Sequence, residues 1–257
     1  MLIFFNLYMD IKNLSWDEAL GKSYGCYLIH GARSTKKLYV PHYWIREKIK
    51  EYLDETYECY SYGFNDDDFN KELTVQGIAY NKRSDVTIVK NNKVKGVISF
   101  KFISSNYSQN SNNYFENLLG ECFNIQANEI PFCHVLVIRD EIPYFDKNQD
   151  CIRTDYLKNH HLNKYMKILE LCDFVSVPKK MCINVINLKI KGFENEVISP
   201  KDFKSKSDEG KNEILENIVV KSVYNYNGSS EEIEKNLKNL TIENVLKEFA
   251  NIINSKQ

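Results

Sequence analysis

At 257 residues the chain can bury one good core and carry a small appended part. With 43% apolar and 27% charged residues it is not a disordered chain, and a net charge of −1 excludes a protein that coats nucleic acid through bulk positive charge. A protein that gathers its lysines in one cleft, around carboxylates, is not excluded. The seven cysteines (Cys26, Cys59, Cys122, Cys133, Cys151, Cys172 and Cys182) are odd in number and never spaced C-x-x-C. They predict neither a disulfide framework nor a zinc site, and they suit a reducing cytoplasm. The opening Leu2–Phe5 run is short, lacks a basic flank and soon meets Asp10, so it reads as neither a signal peptide nor a membrane span. No internal repeat or low-complexity linker divides the chain, and a single domain over residues 1–257 is expected.

In chain order, residues 15–30 and 41–54 read as helices; in the second, Tyr43, Ile45, Ile49, Tyr52 and Leu53 recur at helical spacing. Between them runs a polar loop, His30–Lys37, with one glycine, two hydroxyls and three cations. Leu73–Tyr80, Asp85–Lys90 and Val94–Ile103 are β-rich runs separated by Asn81-Lys82-Arg83 and Asn91-Asn92-Lys93, which predicts a three-stranded antiparallel meander. A polar loop, Ser104–Asn113, leads into a helix over 114–127, with Phe115, Leu118, Leu119, Cys122, Phe123 and Ile125 on its buried side. Phe132–Ile138 is a continuous apolar run and so a fully buried central strand. A helix over 155–171, a strand over 181–190 and an amphipathic helix over 241–254 complete the series. The order predicts an α/β fold with a central mixed β-sheet flanked by helices, a catalytic core over about residues 72–138 and a helical C-terminal part over about residues 200–257.

Within that frame, Ser99 and Lys101 share one face of a strand whose other residues, Ile98, Phe100 and Phe102, are apolar. A lysine in such surroundings calls for a partner, because desolvating an ammonium is costly. Asp85, on the adjoining strand, is placed to supply it. The competing account of the pair is a cross-strand ion pair on a solvated sheet face.

Ser84-Asp85, thirteen intervening residues, then Ser99-Phe100-Lys101 resembles the PD-(D/E)XK nuclease motif, over roughly residues 72–138. The likeness is greatest to type II restriction endonucleases. It implies a restriction-endonuclease-like fold, with the motif on two strands of a hairpin and a helix next. Two residues depart from the motif: Ser84 stands in place of proline, and Ser99 in place of an acid. Some members resemble this arrangement, with S-x-K on the strand and the missing carboxylate supplied by the following helix. Glu116 and Glu121, 15 and 20 residues after Lys101, are the candidates, with Glu72 a further source of acid.

The resemblance implies catalysis by Asp85, Ser99, Lys101 and Glu116 or Glu121. Asp85 and the glutamate would hold Mg²⁺, with Mn²⁺ as a substitute, since oxygen-only ligands suit those ions. Lys101 would position or deprotonate the attacking water. The implied substrate is double-stranded DNA, cut by a homodimer whose two-fold axis mirrors a palindromic site. Arginine is scarce, five among 34 cations, so Arg33, Arg83, Arg139 and Arg153 stand out as candidate contacts to guanine or phosphate, joined by Lys36 and Lys37 and by Ser104, Ser105 and Asn106. The rival readings are an inactive DNA-binding or structural subunit of the same fold, a repair or junction-resolving nuclease, and an unrelated interaction module.

Overall fold

The computed structural model describes residues 13–62, 71–171, 174–194 and 196–255. The Leu2–Phe5 run and Cys172 lie outside them. In chain order the described elements are α1 (Trp16–His30), α2 (Lys36–Lys50), β1 (Glu58–Ser61), β2 (Thr74–Gln76), β3 (Asn81–Arg83), β4 (Val86–Lys90) and β5 (Lys93–Ile103). There follow α3 (Tyr107–Gln126), β6 (Phe132–Arg139), β7 (Glu141–Phe145), β8 (Cys151–Tyr156), α4 (Asn159–Leu169) and β9 (Lys180–Ile190). The last are α5 (Pro200–Ser205), α6 (Asp208–Glu216), β10 (Ile218–Val223), α7 (Glu231–Asn239) and α8 (Ile242–Ser255). No described helix is long and apolar enough to cross a membrane.

Six strands form one mixed sheet in the order β1-β4-β5-β6-β9-β10. The β4–β5 hairpin turns through Asn91 and Asn92, both at positive φ (54° and 58°), the conformation a two-residue hairpin of this hand needs. β5 then runs parallel to β6, with Ser99 opposite His134 and Lys101 opposite Leu136, and β6 runs parallel to β9. β6 is buried along its whole length, as its unbroken apolar sequence requires. Side-chain alternation splits the core in two. Ile98, Phe100, Val135 and Cys182 pack on one face beneath α1, α2 and α8; Val97, Phe132, Leu136 and Ile183 pack on the other beneath α3, α4 and α7. The result is a three-layer α/β/α fold.

Five expectations change. The meander is not three consecutive strands: β4 pairs with β5 and with the upstream β1, while β2 pairs with β3 in a separate two-stranded ribbon. The second helix starts at Lys36, before Pro41. Proline cannot donate to the carbonyl four residues back, and the Ser23 hydroxyl donates to that carbonyl, Lys37 O, at 2.5 Å instead. The Ser104–Asn113 loop shrinks to three residues, because the following helix begins at Tyr107 and reaches Gln126, with Phe123 exposed on it. The helix expected over 155–171 begins at Asn159, with Asp155 and Tyr156 ending β8 of the antiparallel β7–β8 ribbon, and the C-terminal part supplies β10 to the sheet edge as well as helices.

Candidate active site

Asp85 sits in the step between the β2–β3 ribbon and β4, at the end of the sheet. Its Oδ2 accepts a hydrogen bond from the Phe100 N–H at 2.7 Å, which fixes the carboxylate against β5. Because the next two side chains of β5 alternate, Phe100 enters the core while Ser99 and Lys101 face the opposite layer. There they line a cavity of about 470 Å³ together with Asp85, His134 and Leu136 of β6 and one stripe of α3. The stripe is Tyr114, Asn117, Leu118 and Glu121, spaced 3, 4 and 7 residues along one helix face. The remaining wall is the α1–α2 connection, from Ala32 to Leu38.

The cavity is strongly polar. The Lys82 ammonium lies 2.9 Å from Glu121 Oε1. Burial works against the Lys82 charge, but Glu121 and, more weakly, Asp85 outweigh it and raise the lysine above its ordinary value. Lys101 is exposed to the cavity, and its Nζ lies 5.1 Å from the centroid of the Tyr114 ring, a cation–π placement. Lys37 is half-buried and donates to Ala32 O at 2.5 Å; burial, and then the neighbouring Lys101 charge, lower its pKa. Two ammonium groups facing one space favour an anion between them.

Behind Asp85, on the other face of the sheet, stands a residue the sequence reading did not single out. His42 of α2 is fully buried, and neither ring nitrogen makes a hydrogen bond among the described residues. Its Nε2 lies 3.9 Å from Asp85 Oδ1 and its Nδ1 3.4 Å from Glu72 Oε1; Glu72 Oε2 in turn pairs with Arg83 Nε at 2.8 Å. An orphaned imidazole between two carboxylates fits a cation. One ligand atom from each of His42, Glu72 and Asp85 lies within 4.8 Å of the others. The two nitrogens face different acids, so a single ion can take only one; the other N–H then donates to a carboxylate, as ligating histidines commonly do. This donor set is not the oxygen-only one expected. No local pattern marks His42 in the sequence, since it lies some thirty residues before Glu72.

Of the predicted catalytic residues, Asp85, Ser99, Lys101 and Glu121 meet around the one cavity. Glu116 is exposed on another face of α3, where its charge acts on Lys164. Lys101 is not the buried lysine expected, and no ion pair joins it to Asp85 among the described residues. Among the predicted DNA contacts, Arg33 and Lys37 line the cavity, Lys36 is exposed beside them, and exposed Arg83 holds Glu72. Arg139 is buried, donates to Ser104 O at 3.5 Å and faces the Tyr24 ring, so it braces the fold rather than a rim. Ser104 and Ser105 lie beside Tyr27, whose pKa burial pushes up to about 12. Asn106 pairs with the backbone of Phe145 in both directions.

Comparison with protein-family models, with curated proteins and with solved structures returns no match.

Proposed function

We propose that the chain is a metal-dependent endonuclease of double-stranded DNA, of the restriction-endonuclease kind. One observation carries the reading: a hairpin and the helix after it bring Asp85, Ser99, Lys101 and Glu121 to a single cation-lined cavity. Asp85 and His42, with Glu72 behind, would hold the divalent ion; the imidazole favours Mn²⁺ over Mg²⁺. When bound, the ion would lower the pKa of a water and offset phosphate charge. Lys101 is the group in the cavity suited to orient that water or meet the phosphate, while Lys37 and Arg33 hold the strand. Glu121 is the cavity's second acid, and Lys82 neutralises it. A homodimer belongs to this reading if the recognised site is palindromic.

The test is incubation of supercoiled plasmid with the protein and Mn²⁺ or Mg²⁺, beside Asp85→Asn and Lys101→Ala. Discrete fragments from the parent and none from either variant support a restriction enzyme. Cleavage confined to branched substrates favours a repair role, and no cleavage of any DNA contradicts the enzyme reading.

A further inference from the structure

The cavity is far too small for a duplex, which is about 20 Å across and needs an open groove of that order. At about 470 Å³ it has the size of one nucleotide. Its inner end is closed by buried side chains: Leu118, Leu136, Tyr165 and His134 all line it while being 7% exposed or less. Its outer wall carries Lys37, Arg33 and the start of α2, a fifteen-residue helix with no acid in its first turn and no side-chain cap from Thr35.

His134 is the second, independent sign of a ligand. It is 6% exposed, and no hydrogen bond to its ring appears among the described residues. Nδ1 is sealed from solvent, so the ring meets the cavity through its other edge. Burial, and then the Lys101 charge, lower its pKa to about 3, so the ring is neutral at physiological pH, with one nitrogen able to donate. An unsatisfied imidazole in a polar cavity invites a hydrogen-bonding ligand.

We infer that the cavity seats one unpaired nucleotide of the bound strand, its phosphate between Lys37 and Lys101 and its base against Leu118 and Leu136, hydrogen-bonded by His134. The inference rests on the nuclease reading for the strand's identity. It adds that the nucleotide is turned out of the helix, at the few kcal/mol such extrusion typically costs.

The binding measurement needs no metal, and it is read beside the plasmid assay. The full chain is titrated with the four deoxynucleoside 5′-monophosphates, with inorganic phosphate and with the hexamer dT6, while the His134 ring resonances are followed by NMR. Nucleotides should bind at least tenfold more tightly than phosphate and shift the His134 resonances. dT6 should bind a further tenfold more tightly if the ligand is a strand rather than a free nucleotide. His134→Leu should bring nucleotide affinity down to that of phosphate, whereas His134→Gln, which keeps a donor, should retain part of it. Nucleotides binding no better than phosphate, or without moving His134, would overturn the inference. If that happens while the parent still cuts plasmid, the inference fails and the nuclease reading stands; tight nucleotide binding by a protein that cuts no DNA removes the strand and its enzyme together, and overturns both.

Discussion

Lys101 and Asp85 stand in different electrostatic settings, and their variants should fail differently. Lys101 is an exposed ammonium above the Tyr114 ring with no carboxylate within ion-pair distance among the described residues. Lys101→Ala should therefore fold normally and bind Mn²⁺, yet lose cleavage by about 10²-fold or more, the usual scale for a positioned proton-transfer group. Single-turnover rates beside metal titration check this. His42 supplies a sharper discrimination. A buried imidazole with no hydrogen bond among the described residues is a burden unless something binds it, and replacing such a group by an apolar side chain of similar size can be neutral or stabilising. His42→Leu should leave the metal-free protein as stable as the parent, within about 1 kcal/mol. Its Mn²⁺ affinity should fall roughly 10- to 100-fold, as for lost metal-site partners. Urea melts and isothermal titration read the two effects separately; a large loss of metal-free stability would mean that His42 serves the core.

The β2–β3 ribbon carries Lys82 and Arg83 to the two acids, and α3 holds it there. Asn124 Oδ1 accepts from the N–H groups of Ala79 and Tyr80 at 3.0 and 3.1 Å, and its Nδ2 donates to Tyr80 O at 3.0 Å. Gly77 belongs to the same contact: a Cβ there would overlap the Asn124 amide. Asn124→Ala should cost about 2–3 kcal/mol, near 1 per hydrogen bond, and should raise amide exchange over residues 74–83 more than in β6. The sequence foretold neither the ribbon nor its anchor. Residues 73–80 are β-rich, but three-residue strands are too short for alternation to show which partner they choose. The β4–β5 hairpin, β6 and β9 were legible because their patterns are long: an Asn-Asn turn, an unbroken apolar run, eleven-residue strands. Helical period also separates Glu121 from Glu116, but only once Tyr114 and Leu118 are known to face the cavity. His42 was beyond reach, because its approach to Asp85 depends on how α2 packs across the sheet.

For the whole molecule, two buried histidines contribute to the acid limb of stability. Burial lowers His134 to about 3; burial, with His160 and nearby lysines, lowers His161 to about 4, and its Nδ1 accepts from Lys158 N at 3.2 Å. Both are depressed below the ordinary histidine value, so the neutral folded forms carry no penalty above about pH 6.5, and stability falls as pH drops from there, the unfolded chain binding up to two protons that the folded chain refuses until His161 begins to titrate near pH 4. Together they contribute a slope of about 2.7 kcal/mol per pH unit in that window, and His134→Leu should halve this part of it in urea melts. Metal acts in the opposite direction: Mn²⁺ at a hundred times its dissociation constant should add about 2.7 kcal/mol, a gain absent from Asp85→Asn. That dependence leads to the shared carboxylate, where the buried histidine and the cation-lined cavity adjoin. Titration of Mn²⁺ by electron paramagnetic resonance into the parent, Asp85→Asn and Lys101→Ala tests it most directly. One ion bound by the parent and by Lys101→Ala, and at least a hundredfold weaker binding by Asp85→Asn, is the predicted result; equal binding by all three would contradict it.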